Sequence, residues 1–341
     1  MRSDVSPDHI LQIGMGFWAS KTLLSAVELG LFTELAEGPR TGTELEQALS
    51  LHPRATYDFL DGLVSLRLLE REGEGPTARY ANTDATAAFL DRCSPDYIGG
   101  ILEMAGARLF RFWADLTTAL RTGRPQNEIK CSGKSMFESL YADPDRLEQF
   151  MDAMSGVSMA NFDTFARRFD FTRYKTMVDI GGATAQLSCF VASHHPHMRC
   201  ASYDLPLVLP IAERRIRESG LRGRVTPGVI DFFDDEFPQA DVITMGMILH
   251  DWNLDAKKML IAKAYRALPK GGAFVAIENI IDDERRQNAF GLLMSLNMLI
   301  EFGEAFDFTG MDFRQWCLDA GFSRCEIMPL GGPASAAVAY K

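Results

Sequence analysis

The chain has 341 residues, 47% apolar and 24% charged, with 46 acidic against 35 basic side chains and a formal net charge of −11. That length exceeds one ordinary core, and the acidic balance repels phosphate backbones and anionic lipid, so nucleic acid and membrane are poor candidate partners. Apolar runs fall short of the roughly 20 residues that span a bilayer. The opening MRSDVSPDHI lacks the apolar core of a signal peptide, and six scattered cysteines without a CxxC pair predict reduced thiols in a cytoplasmic protein rather than disulfides or a metal site.

Residues 10 to 125 read as mainly helical. Trp18, Leu23, Leu24, Val27, Leu31 and Phe32 recur at short intervals, as the core-facing side of a helix requires. Thr41 with Glu44 forms a capping box, and Pro53 suits the first turn of a helix through Phe59, Leu60, Leu63 and Leu66. LLEREGEGPTARYAN then reads as two short strands around a Gly-Pro turn, which completes a winged-helix pattern. Residues 37–80 carry five arginines against eight acidic side chains, a local charge of −3 and the wrong sign for a face on DNA. A structural or dimerisation role is therefore expected for residues 1–100. The stretch 101–170 is rich in Met, Phe and Trp (Met104, Phe110, Trp113, Met151, Met154, Phe162) and reads as a helical linker lining a pocket for an aromatic ligand.

From 171 to 341 short apolar runs alternate with helical patterns, the texture of a mostly parallel sheet covered by helices on both faces. TMVDI, RCASYD, RVTPGVID, ADVITMGM and AFVAIENII are the strands in order, and CEIMPL and AAVAY close the chain as two strands around a loop. Helices fill the intervals, one from Asp255 to Leu268 and one opened by a capping box of Thr309 with Asp312. In such sheets ligands bind beyond the carboxyl ends of the strands.

Several of those ends carry polar chemistry. The turn Gly181-Gly182-Ala183-Thr184-Ala185 follows Asp179 and lets a ligand approach the backbone, although it lacks a full GxGxxG spacing. Asp204 ends the second strand, where a carboxylate accepts hydrogen bonds from both hydroxyls of a ribose; capping the helix after Pro206 is its alternative role. Asp231, followed by Phe232, ends the third, placing an acceptor for an exocyclic amine beside a ring that packs on a purine. Beyond the fourth comes ILHDW, with His250, and Glu278 lies near the end of the neighbouring fifth strand. A carboxylate on one imidazole nitrogen fixes the tautomer and raises the basicity of the other, which is what a general base needs. Met294, Asn297 and Met298, on the next helix, are candidates for the wall of a substrate pocket, with Asn297 as its polar contact.

These motifs resemble the small-molecule O-methyltransferases that use S-adenosylmethionine, the family of plant caffeate and bacterial polyketide, phenazine and carotenoid methyltransferases. VDIGGATA is similar to the family's VDxGGGxG, SYDLP to FDLP, GVIDFF to GD(M/F)F and ILHDWN to xxHDWxD. The likeness runs from about residue 10 to the C-terminus. It implies a Rossmann-like seven-stranded domain preceded by a winged-helix dimerisation domain, hence a homodimer, with S-adenosyl-L-methionine as cofactor and no metal. It further implies that Gly181 approaches the methionine end, Asp204 holds the ribose, and Asp231 and Phe232 contact the adenine. His250 would take the proton of the attacking hydroxyl, oriented by Glu278, with Asp307 of FDFT as a second orienting carboxylate. Where plant members carry a lysine, this chain has Gly246, whose backbone is the expected cofactor contact. Ala183 and Ala185 replace family glycines, at a cost of about 1 kcal/mol should Ala185 take a positive φ.

The expected activity is methylation of a hydroxyl on an aromatic or polyketide-like metabolite. Two rivals stand beside it: the same fold and cofactor with C- or N-methylation, hydroxylation, decarboxylation or rearrangement, and a winged-helix regulator that binds DNA.

Overall fold

The structure, a computed structural model, describes residues 5–133, 140 and 144–341. Residues 1–4, residues 134–139 and 141–143 of the expected linker, and the side chain of Cys131 lie outside them. The chain divides into two compact units, Met1–Arg111 and Phe112–Lys341.

In the first unit, strands β1 (Arg40–Thr41), β2 (Leu69–Glu72) and β3 (Arg79–Asn82) form an antiparallel sheet in the order β1-β3-β2. Thr41 caps the helix Gly42–Ala48 by accepting from the Glu44 amide, while the Glu44 carboxylate accepts from the Thr41 amide at 2.7 Å. Pro53 opens the helix Pro53–Ser65, where its missing N–H leaves no bond unmade. Leu31, Phe32, Leu45, Leu60, Leu63 and Tyr80 close the core. Trp18 is not part of it: the residue is 61% exposed. The five-residue step from Trp18 to Leu23 turns the side chain about 140° around the helix axis, away from the stripe of Leu24 and Val27.

The second unit is built on seven strands: β4 (Thr176–Ile180), β5 (Arg199–Asp204), β6 (Val225–Val229), β7 (Val242–Gly246), β8 (Ala273–Glu278), β9 (Arg324–Gly331) and β10 (Ala334–Tyr340). Their order is β6-β5-β4-β7-β8-β10-β9, with β10 antiparallel to both neighbours and the other pairs parallel. Strand order reverses between β4 and β7, which opens a crevice at their carboxyl ends. Pro227 sits in β6 at the sheet edge, where a missing donor is tolerated.

Side chains alternate strictly between two cores. Met177, Val242, Ala273, Val275 and Ile277 face the helices Pro144–Arg168, Gln186–His194 and Leu209–Glu218, through Phe165, Val191 and Ile216. Val178, Ile243, Phe274 and Ala276 face the helices Leu254–Ala267 and Gly310–Ala320, through Leu260, Phe313 and Trp316. Burial on both faces explains why β8 is apolar throughout until Glu278. The predicted Thr309–Asp312 capping box is formed. The helix expected at Asp255 begins at Leu254, because the Asn253 side chain accepts from the Ala256 amide. Among the described residues no helix is long and apolar enough to cross a membrane, and the cysteines whose side chains are described are all free.

Candidate active site

The turn after β4 is drawn tight. Gly181 and Gly182 both donate to the Tyr203 carbonyl, at 2.8 and 3.1 Å, and Gly181 has φ +71°. A Cβ on Gly182 would stand 2.1 Å from Ser202 Oγ, and one on Gly181 would stand 2.4 Å from Ile248 Cδ1 and 3.9 Å from the Phe232 ring. These glycines are thus fixed by close approach, and Ile248 and Phe232 converge on the first of them. Asp179 lies buried beneath, accepting from Thr244 Oγ1 at 2.7 Å, and burial pushes its carboxyl up to about 7.

Ala183 and Ala185 do occupy the left-handed region, with φ +45° and +62°. For Ala185 the strain is about 1–2 kcal/mol. Its methyl is fully buried, worth about 0.8 kcal/mol, and alanine narrows the unfolded ensemble by about 0.4–1 kcal/mol relative to glycine. The contributions nearly cancel. Ala185→Gly should therefore move the melting temperature by no more than about 2 °C, in a calorimetric comparison of the two proteins.

Asp204 closes the turn from the other side: Oδ2 accepts the Ala183 amide at 2.9 Å and Oδ1 the Leu205 amide at 2.7 Å. Each oxygen keeps a further lone pair for a ligand hydroxyl. Burial raises its pKa against those two amides. Asp231 is fixed by accepting the Phe233 amide at 2.9 Å. Phe232 and Phe233 pack edge-on to Trp252, with ring centres 5.8 and 4.6 Å away. Lys263, a helix lysine that charge alone would put in solvent, anchors this corner: its buried Nζ donates to the carbonyls of Phe232, Phe233 and Asp235 at 3.0, 2.7 and 2.8 Å. At the end of β7, the Phe162 ring lies against Gly246, where a Cβ would stand 2.8 Å from it. The glycine turn thus meets the Phe232 ring on one side and the Asp204 carboxylate on the other, and this donor set fits the nucleoside of S-adenosylmethionine.

His250 sits on a single 3₁₀ turn, Leu249–Asp251, directly after β7. Its Nδ1 lies 2.6 Å from Glu278 Oε2, both side chains buried. Glu278 Oε1 accepts the amides of Ile248 and Leu249 at 3.1 and 2.8 Å, so one carboxylate holds both the turn and the ring. Asp251 Oδ1 lies 3.2 Å from His250 Nε2. Burial pulls the imidazole pKa down, but Glu278, Asp251 and Asp307 outweigh it and hold the ring well above its ordinary value. Burial also pushes Asp251 up to about 6 and Asp307 to about 7. A polar atom of each of His250, Glu278 and Asp307 lies within 4.8 Å of the others, and both Asp307 carboxyl oxygens are buried without a hydrogen-bond partner. Asn297, expected to face a substrate, uses its Oδ1 to accept from Trp113 Nε1 at 2.9 Å.

An O-methyltransferase domain model matches residues 113–323, and an O-methyltransferase dimerisation domain model matches residues 11–92. The chain belongs to the O-methyltransferase family. This methyltransferase is 40% identical over 335 residues to the tetracenomycin polyketide synthesis 8-O-methyl transferase TcmO of Streptomyces glaucescens, across 98% of this chain and 97% of that one. It is 37% identical to the N,N-dimethyltransferase OxyT of Streptomyces rimosus, across 92% and 90% of the two chains. Human N-acetylserotonin methyltransferase, solved in complex with S-adenosylmethionine, has the same fold at a TM-score of 0.90 and 29% identity, covering 100% of this chain and 99% of that one. The enzyme is accordingly an S-adenosylmethionine-dependent methyltransferase whose first unit contains a dimerisation domain.

Proposed function

We propose that this methyltransferase acts as a cytoplasmic homodimer on a phenolic or enolic oxygen of an aromatic polyketide-like metabolite, with His250 as general base. The observation that carries the reading is the buried 2.6 Å contact of His250 Nδ1 with Glu278, made one turn beyond the strand end that faces the nucleoside crevice. Its polyketide oxygen is inferred from the likeness to TcmO, and the free thiols suit a reducing compartment.

S-adenosylmethionine, when bound, supplies an electrophilic methyl group on a sulfonium. Gly181, Asp204, Asp231, Phe232 and the Gly246 backbone would hold it, leaving this chain two tasks: aligning the acceptor oxygen and removing its proton. With Nδ1 engaged by Glu278, Nε2 is the nitrogen that receives the hydroxyl proton as the oxygen–carbon bond forms and the sulfur–carbon bond breaks. Asp251, near Nε2, and Asp307 stabilise the resulting imidazolium.

The likeness to OxyT gives N-methylation a specific claim as the second reading. Incubation with methyl-labelled cofactor and matched phenol and aryl-amine acceptors separates the two by product mass. Label on the phenol oxygen is expected. Label confined to the amine nitrogen would replace this reading with the second, and no label in any product would remove methyl transfer itself.

A further inference from the structure

The helix Leu254–Ala267 carries a lysine in its apolar stripe. Lys257, Leu260, Ile261 and Ala264 follow one another at helical spacing, and all four are fully buried. Among the described residues, two kinds of neighbour replace water around the Lys257 ammonium. Its Nζ donates to the carbonyl of Trp252, two residues past His250. The same atom lies 3.6 Å from the centre of the Phe306 ring and 6.0 Å from that of Phe308, the residues on either side of Asp307. One side chain thereby touches both the segment that carries His250 and the segment that carries Asp307.

The charges around it come from several elements. Asp251 lies on the 3₁₀ turn, Glu278 at the end of β8, Asp307 between the two rings, and Glu301 acts on Asp251 from the helix Ala289–Phe302. Burial lowers the lysine pKa while Glu278, Asp307 and Asp251 draw it upward. Its charge in turn opposes the protonation of Asp251 and Asp307. An ammonium buried without countercharge would cost several kcal/mol, so this residue and the carboxylates are mutually dependent.

We propose that Lys257 is a positioning residue for methyl transfer, clamping the His250 turn to the Phe306–Phe308 segment and holding the carboxylates around the imidazole in their charged form. The inference rests on His250 being the base. The reactive form of the cluster is the one with fewest protons, imidazole neutral and Asp251 and Asp307 ionised. An ammonium there favours that form wherever it keeps its own charge, and burial brings its pKa down to about 8, so its removal moves the acid limb below that pH to higher pH.

The test is kcat against pH for the wild type, Lys257→Met, Lys257→Gln and Lys257→Arg, with His250→Gln measured beside them. Methionine keeps volume and packs on aromatic rings without charge, whereas glutamine keeps a donor for the Trp252 carbonyl. Both neutral variants should shift the acid limb up by about one pH unit, a roughly tenfold loss of kcat on that limb, and Lys257→Arg should restore it. An acid limb that stays in place in whichever neutral variant folds, with His250→Gln inactive, overturns the role of Lys257 alone, even where the melting temperature drops. Full turnover in His250→Gln would overturn the reading of the base and this inference with it.

Discussion

Replacing His250 with alanine is expected to lower kcat by about 10²–10⁴-fold, the usual worth of a positioned general base. Cofactor affinity should change by no more than a few fold, because the groups proposed to hold the nucleoside belong to other residues: Gly181, Asp204 and Phe232. Isothermal titration with S-adenosylmethionine beside steady-state turnover separates the two quantities. The alanine variant also strands a buried charge. Glu278 would retain the amides of Ile248 and Leu249 but lose the ring on Oε2. Breaking a buried pair in this way typically costs about 3–5 kcal/mol, enough to confuse lost activity with lost fold. His250→Gln, which can still donate to Glu278, is therefore the companion variant. Both should lose turnover while the second keeps a near-normal melting temperature. Turnover within threefold of the wild type in a folded variant would end the assignment of His250 as base.

The parts of this site that could be read from the sequence are those where backbone periodicity and side-chain chemistry coincide. Glu278 terminates an apolar strand and Asp204 a mixed one, RCASYD, so the strand pattern itself places them at the carboxyl edge of the sheet. Pairing of β7 with β8 follows from the topology, and it brings His250 to Glu278. Two lysines were less visible, because a charged residue on a helix is ordinarily read as a solvated face. The signal was nevertheless present: Lys257 lies three and four residues before Leu260 and Ile261, and Lys263 three after Leu260 and four before Ala267, inside the buried stripe rather than opposite it. Trp18 is the converse case, an apolar residue counted with a stripe whose phase it does not share. Asp307 could be placed only by its resemblance to the family's motif, since neither period nor spacing says that a residue before Thr309 approaches a histidine 57 positions earlier in the chain. The left-handed conformation of Ala185 is signalled by a departure from that motif, and burial of its methyl explains how the departure is tolerated.

Glu278→Gln should have an effect of similar size with a different signature. The glutamine is nearly isosteric, and the fixed amides of Ile248 and Leu249 require an oxygen where Oε1 now accepts both. The amide nitrogen must then face His250 Nδ1 and donate to it, which places the ring proton on Nε2. That tautomer cannot take a proton at Nε2, so kcat should fall by about 10²–10⁴-fold. The pH dependence should change as well. In the wild type the negative charge of Glu278 is the largest influence holding the imidazole above its ordinary value, and burial acts in the opposite direction. A base whose pKa is raised becomes active only as the pH climbs through that raised value, so the wild-type kcat should still be rising above pH 7. With the charge removed, burial is left to act and the residual activity should reach its plateau at lower pH. Glu278→Asp, which keeps the charge but withdraws it by one methylene, should retain the high acid limb while losing rate through poorer alignment. Profiles of kcat from pH 6 to 10 for the three proteins test this directly. A Glu278→Gln variant with an unmoved limb and nearly full rate would mean that the imidazole is tuned by Asp251 and Asp307 instead, and that Glu278 serves only to tie the turn to β8.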